Sequence, residues 1–73
     1  MLLELKQSES EREVVVTSRF MRYLVELEDG ALYLSSRGLE REYSLSDFPP
    51  DSELVAIAAF LVLQLEASVI GVH

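Results

Sequence analysis

The side chains here that could perform acid–base or metal chemistry are almost all carboxylates. Thirteen Asp and Glu stand against six Lys and Arg, with one histidine and no cysteine. Glu26/Glu28 and Glu40/Glu42 are pairs at a two-residue spacing. On a strand, residues two apart share a face, so each pair would set two acids side by side. Such pairs serve general acid–base catalysis when a cleft moves their pKa values. Glu9, Glu11 and Glu13 alternate in the same way and could hold a cation weakly. A solvated loop is the simpler reading of that stretch.

The remaining inventory argues against catalysis. The only histidine, His73, is the last residue, and frayed ends are poorly pre-organised for base chemistry. A serine–histidine–carboxylate set would have to use it. Without cysteine there are no disulfides, thiolate–zinc sites or thiol nucleophiles. No calcium-loop spacing is present, and Gly30, Gly38 and Gly71 form no phosphate-binding loop. The expectation is a chain that is not an enzyme and takes no cofactor and no metal.

The net charge of −7 has the wrong sign for direct nucleic-acid binding, which needs clustered cations. Lys6, Arg12, Arg19, Arg22, Arg37 and Arg41 are instead scattered along the chain. The N-terminal stretch lacks a basic segment followed by an apolar one, so a cytoplasmic setting is expected. Leu54 to Val72 raises the question of a membrane anchor, since a span needs about 20 apolar residues. Gln64 and Glu66 fall in its middle and no basic cluster flanks it, so no membrane span is expected.

The elements that would position these groups follow from residue pattern. Residues 1–13 read as a short strand plus a polar loop. Residues 14–48 read as a β-meander, opened by the β-branched run Val14-Val15-Val16-Thr17. Asp29-Gly30 between alternating strands is a two-residue hairpin signal, because both positions need positive φ. That loop sets Leu27 opposite Leu32, Glu26 opposite Tyr33 and Val25 opposite Leu34, with the apolar pairs on one face. A second turn around Ser35-Ser36-Arg37-Gly38 must contain an even number of loop residues to keep Leu32 and Leu34 with Leu39, Tyr43 and Leu45. Arg41 interrupts that apolar face, either as an edge residue whose head reaches water or as an interface or anion contact.

Pro49-Pro50 stops the meander, and a helix is expected over 50–67, followed by an extended tail over 68–73. Leu54, Ile57, Leu61 and Leu65, with Ala58 beside them, form the stripe expected to pack on the sheet. The predicted core is Tyr23, Val25, Leu27, Leu32, Leu34, Tyr43, Leu45, Leu54, Ile57, Leu61 and Leu65. Leu54 to Leu63 is apolar at all ten positions, whereas a surface helix of a small domain needs only one apolar stripe.

The fold class expected is α+β, a single domain with an antiparallel β-meander of three to four strands packed on one C-terminal α-helix. The excess of apolar helix surface points to a protein–protein interaction module, a small subunit or a binding regulator of a larger protein. It would self-associate through a second helical stripe, Val55, Ala59 and Val62, with Phe60 and Leu63 on its flank, as a homodimer or as a subunit of a complex. Glu26, Tyr33 and Glu42 would form a second, charge-selective surface, and Arg41 is a separate interface candidate. The alternative is an acidic decoy that mimics nucleic acid and blocks a basic nucleic-acid-binding protein.

Overall fold

The computed structural model describes residues 3–69. Five strands form one sheet: β1 Glu4–Gln7, β2 Glu13–Thr17, β3 Arg22–Glu28, β4 Ala31–Ser36 and β5 Leu39–Ser44. The spatial order equals the chain order, and every neighbouring pair is antiparallel. A single 3₁₀ turn, Leu45–Asp47, leads to the helix α1, Leu54–Val69. The architecture is therefore α+β with an antiparallel meander and a C-terminal helix. The meander has five strands rather than three to four, because Leu5 and its neighbours fold back onto Val14–Thr17 and β3 begins only at Arg22.

The hairpin around Asp29-Gly30 forms as the sequence specifies. Asp29 has φ 49° and Gly30 has φ 78°, and the register pairs Leu27 with Leu32, Glu26 with Tyr33 and Val25 with Leu34. The second turn uses two loop residues, Arg37 and Gly38, between paired Ser36 and Leu39. Gly38 takes φ 70°, where a Cβ would be strained. The even loop keeps Leu32 opposite Tyr43 and Leu34 opposite Arg41. Between β2 and β3, the Ser18 amide donates to the Met21 carbonyl at 2.9 Å.

The helix starts four residues later than the expected position. Pro49 to Ser52 form a turn closed by the Ser52 amide on the Pro49 carbonyl at 3.0 Å. A residue before proline is disfavoured in helical geometry, which moves the start beyond the Pro-Pro pair. The first helical bond runs from the Ile57 amide to the Glu53 carbonyl, 3.1 Å. At its other end α1 continues through Ser68 and Val69, taking the first residues of the segment expected to be extended. The rest of that tail, with His73, lies outside the described residues.

The helix lies chiefly over β1, β2 and β3. Under it sit Val14, Val16, Tyr23, Val25, Leu32 and Leu34, met by Leu54, Ile57, Ala58, Leu61 and Val62. Of the predicted core, Leu27, Tyr43, Leu45 and Leu65 are only partly buried and pack around this cluster. Val14 and Val16 were absent from that prediction and are fully buried. They join the core because β2, and not the sheet centre, receives the middle of the helix.

These assignments separate two leucines two residues apart on α1. Leu61 is 2% exposed and Leu63 is 40% exposed. Leu61→Ala should cost about 2–5 kcal/mol, the range for emptying a core leucine site. Leu63→Ala should stay within about 0.5 kcal/mol. Urea unfolding monitored by circular dichroism reads both values.

Candidate functional site

Three surfaces or clusters carry the polar and exposed apolar groups that could act. The first is the face of the sheet turned away from α1. Its register places Glu13 opposite Glu26, Glu26 opposite Tyr33 and Tyr33 opposite Glu42. One cross-strand row thus runs Glu13, Glu26, Tyr33, Glu42 over four strands. Glu26, Tyr33 and Glu42, proposed from sequence as one patch, are brought together, and Glu13 joins them. Like charges directly opposite on a sheet repel, so this row costs the isolated chain stability. A shallow concavity of about 570 Å³ lies over it, lined in part by Glu28, Tyr33, Glu40, Arg41 and Glu42. Tyr33 is 40% exposed. Arg41 is not on this face: it pairs with the buried Leu34 and belongs to the helix side of the sheet, where its guanidinium donates to the Glu40 main-chain carbonyl at 3.3 Å, and it reaches the concavity only at its border. Among the described residues no group of three or more His, Asp or Glu is arranged to hold a metal ion.

The second is the helix. The stripe Val55, Ala59 and Val62 does not form an open face. Val62 is fully buried in the core, and Val55 and Ala59 are half-buried. The buried arc of α1 spans about half its circumference, which draws Val62 inward beside Ala58. The uncovered side is Ala56, Phe60, Leu63, Gln64 and Ala67, positions that recur every three or four residues and share a face. Phe60 is 52% exposed and Leu63 40%. Phe48 packs edge-on against Phe60, with ring centroids 6.1 Å apart, and fixes the ring's position at the surface. No described helix is long and apolar enough to cross a membrane.

The third is buried. Glu66 is 2% exposed and is the only buried polar or charged side chain among the described residues. Its Oε2 accepts the Tyr23 hydroxyl at 2.7 Å and the Ser18 hydroxyl at 2.5 Å, distances typical of hydroxyls on a carboxylate. Ser18 Oγ also accepts the amides of Phe20 and Met21, both at 3.1 Å. One hydroxyl therefore ties the β2–β3 turn to the last turn of α1. Glu66 Oε1 is buried and has no hydrogen-bond partner among the described residues. Helix C-termini carry partial negative charge, so the location opposes a carboxylate there too. Burial and the hydrogen bond to Glu66 push the Tyr23 hydroxyl up from its ordinary 10.0 to about 12.

Sequence reasoning treated Glu66 only as an obstacle to membrane insertion. A signal was nevertheless present: Leu54, Ala58, Val62 and Glu66 follow one another at four-residue spacing, which places the acid on the buried line.

A cleft of about 640 Å³ lies between the start of α1 and the first hairpin, bordered by Leu27, Leu45, Phe48, Pro50, Leu54 and Ile57. Its described lining includes no titratable side chain. No family model, curated protein or solved structure matches the chain. The fold and surfaces define an α+β meander domain with a charged sheet face and an apolar helix face.

The Glu66 cluster makes two measurable statements. Tyr23→Phe should cost about 1.5–3 kcal/mol, the value of a hydrogen bond to a charged group. In a Glu66→Met background the same change should cost little, since the hydroxyl has then lost its acceptor. A double-mutant cycle by urea unfolding measures that coupling. Because the folded value of Tyr23 lies above 10.0, the stability it contributes is fully present below pH 10. It is lost as pH rises through about 12. Unfolding curves across that window should show the loss in wild type and its absence in Tyr23→Phe.

Proposed function

We propose that the chain is a non-enzymatic protein–protein interaction module, a small subunit or binding regulator of a larger protein. The observation that carries this reading is the outer side of α1. Phe60 and Leu63 remain 52% and 40% exposed on a helix with no charged residue from Leu54 to Leu65. Contiguous exposed apolar surface on a soluble domain marks contact sites, and a rigidly held aromatic ring is a favoured anchor. A second copy of the chain can fill this contact as well as a foreign protein, since a symmetric helix-to-helix pair uses one patch twice.

The contact residues differ from those expected from sequence. Phe60 and Leu63, expected on the flank of the stripe, take its centre with Ala56 and Ala67 in place of Val55, Ala59 and Val62. Val62→Glu would bury a charge in the core and unfold the domain, so it does not report on association. The informative variant is Phe60→Glu with Leu63→Glu. In about 0.5 M salt, where the screening length is only about 4 Å, charged surfaces contribute little. Under those conditions light scattering should show wild type above monomer mass, or bound to its partner, and the variant monomeric and free with an unchanged circular dichroism spectrum. A wild type that is monomeric there, and whose partner binding survives the double change, overturns the reading.

A second reading rests on the row Glu13, Glu26, Tyr33, Glu42. Adjacent carboxylates around an exposed tyrosine suit a basic surface, as an acidic decoy of nucleic acid requires. Its signature is partner binding that weakens with salt and with Glu26→Gln plus Glu42→Gln, while Phe60→Glu has no effect.

A further inference from the structure

β5 is the last strand of the sheet, and among the described residues no strand lies beyond it. The Leu45 amide donates to the Gly30 carbonyl at 2.9 Å, so the main chain at Leu45 faces β4. In an antiparallel ladder this direction alternates from residue to residue. Leu39, Arg41 and Tyr43 therefore bond to β4, and the N–H and C=O groups of Glu40 and Glu42 point off the sheet. The Glu40 carbonyl already draws a donor, the Arg41 guanidinium at 3.3 Å. The opposite edge is better protected. β1 has four residues, includes Lys6 and packs against α1, and short strands and lysines are common guards of a sheet edge. β5 has six residues with no lysine and no proline, and α1 lies chiefly over the first three strands. Its guards are Glu40 and Glu42, both exposed on the face away from α1. They exclude a second copy. Pairing β5 with β5 by a two-fold sets outward-bonding residues opposite each other. The registers that engage most of the strand then put Glu42 against Glu42, or Glu40 against Glu42, and like charges directly opposite repel.

We propose that β5 takes up an extended segment of a different protein as an added antiparallel strand, with Lys or Arg at alternate positions opposite Glu40 and Glu42. Main-chain bonds to Glu40 and Glu42 hold the segment, and its alternating side chains give selectivity. On the face away from α1 its cations meet Glu40 and Glu42, and the acidic row continues inward from Glu42 through Tyr33 to Glu26. On the other face its intervening residues lie beside Leu39, Arg41 and Tyr43. Leu39 and Tyr43 are half-buried, so β-branched or small apolar side chains suit those positions. The inference rests on the reading of the chain as an interaction module, but it uses none of the residues of the helix contact. It differs from nucleic-acid mimicry in depending on the main chain as well as on charge.

The probe is the capped peptide acetyl-Thr-Val-Lys-Thr-Lys-Val-amide, whose lysines fall opposite Glu42 and Glu40. Titrated into isotope-labelled protein at about 0.15 M salt, where the screening length is about 8 Å, it should shift the Glu40 and Glu42 amides saturably. The dissociation constant should lie below about 1 mM. Methylating the main-chain nitrogens of both lysines removes their bonds to β5 and should raise the constant at least about tenfold. Methylating the nitrogens of the first valine and the second threonine, which face away from β5, should change it less than about threefold. A peptide with glutamate for both lysines should bind at least about tenfold more weakly. Glu40→Lys with Glu42→Lys should bring that peptide back to within about threefold of the original constant. Phe60→Glu with Leu63→Glu should leave peptide binding within about threefold of wild type, because the two contacts are separate. Amides of Glu40 and Glu42 that do not move at about 1 mM peptide overturn the proposal. So does a constant that ignores which nitrogens are methylated, or a charge exchange that restores nothing. Peptide binding lost with Phe60→Glu and Leu63→Glu overturns it too, while leaving the helix contact standing.

Discussion

A sheet has two faces, and this chain has one helix to cover them. That constraint sets most of what the molecule looks like. The face under α1 collects Val14, Val16, Val25, Leu32 and Leu34 and forms the core together with the buried side of the helix. The other face has to live with water, and it does so with carboxylates, arginines, a tyrosine and two half-buried apolar side chains. The helix in turn has one side supported by strands and one side supported by almost nothing. A domain of about 60–70 residues buries only around 60% of its unfolded surface. Phe60 and Leu63 on the helix, and Leu5 and Phe20 on the sheet side, carry much of this chain's share of that deficit.

The buried Glu66 sits at the weakest point of this arrangement. Without cysteine to staple it, the C-terminal end of α1 is held by packing and by one carboxylate oxygen. That oxygen receives hydroxyls from Ser18 at the β2–β3 turn and from Tyr23 on β3. Desolvating an acid at the negative end of a helix is unfavourable. Two short hydroxyl bonds offset it, and they also specify the rotation of the helix on the sheet. A purely apolar helix can roll on an apolar surface with little change in buried area. A helix carrying one acid that must find two hydroxyls cannot.

The same reasoning explains what could be read from residue order. The Asp29-Gly30 hairpin and its register were legible, because turn chemistry and face alternation gave the same answer. So was the even loop at Arg37-Gly38, and through these the row Glu26, Tyr33, Glu42. The edge strand β1 was legible only as a short stretch of uncertain length, since four exposed residues carry little pattern. The phase of α1 was not legible beyond its central stripe. Apolar residues all round leave no polar side to mark the exterior, so Val62 was placed outside when it lies inside. Glu66 compounded this, because an acid is ordinarily evidence of the solvent side. The helix start failed for a local reason: Pro49-Pro50 made a turn of their own before the helix began.

The order of strands in space, identical to their order in the chain, has a consequence for how the domain assembles. Every strand pairing closes a loop of a few residues, at small entropic cost. Only the docking of α1 onto β1 and β2 spans most of the chain, and the bond between Glu66 and Ser18 links positions 48 residues apart. Chain entropy therefore favours hairpins before the rod. Until that last closure, the valine and leucine rows lie uncovered, so the interval in which this protein is most prone to clump is set by how soon its C-terminal segment comes home.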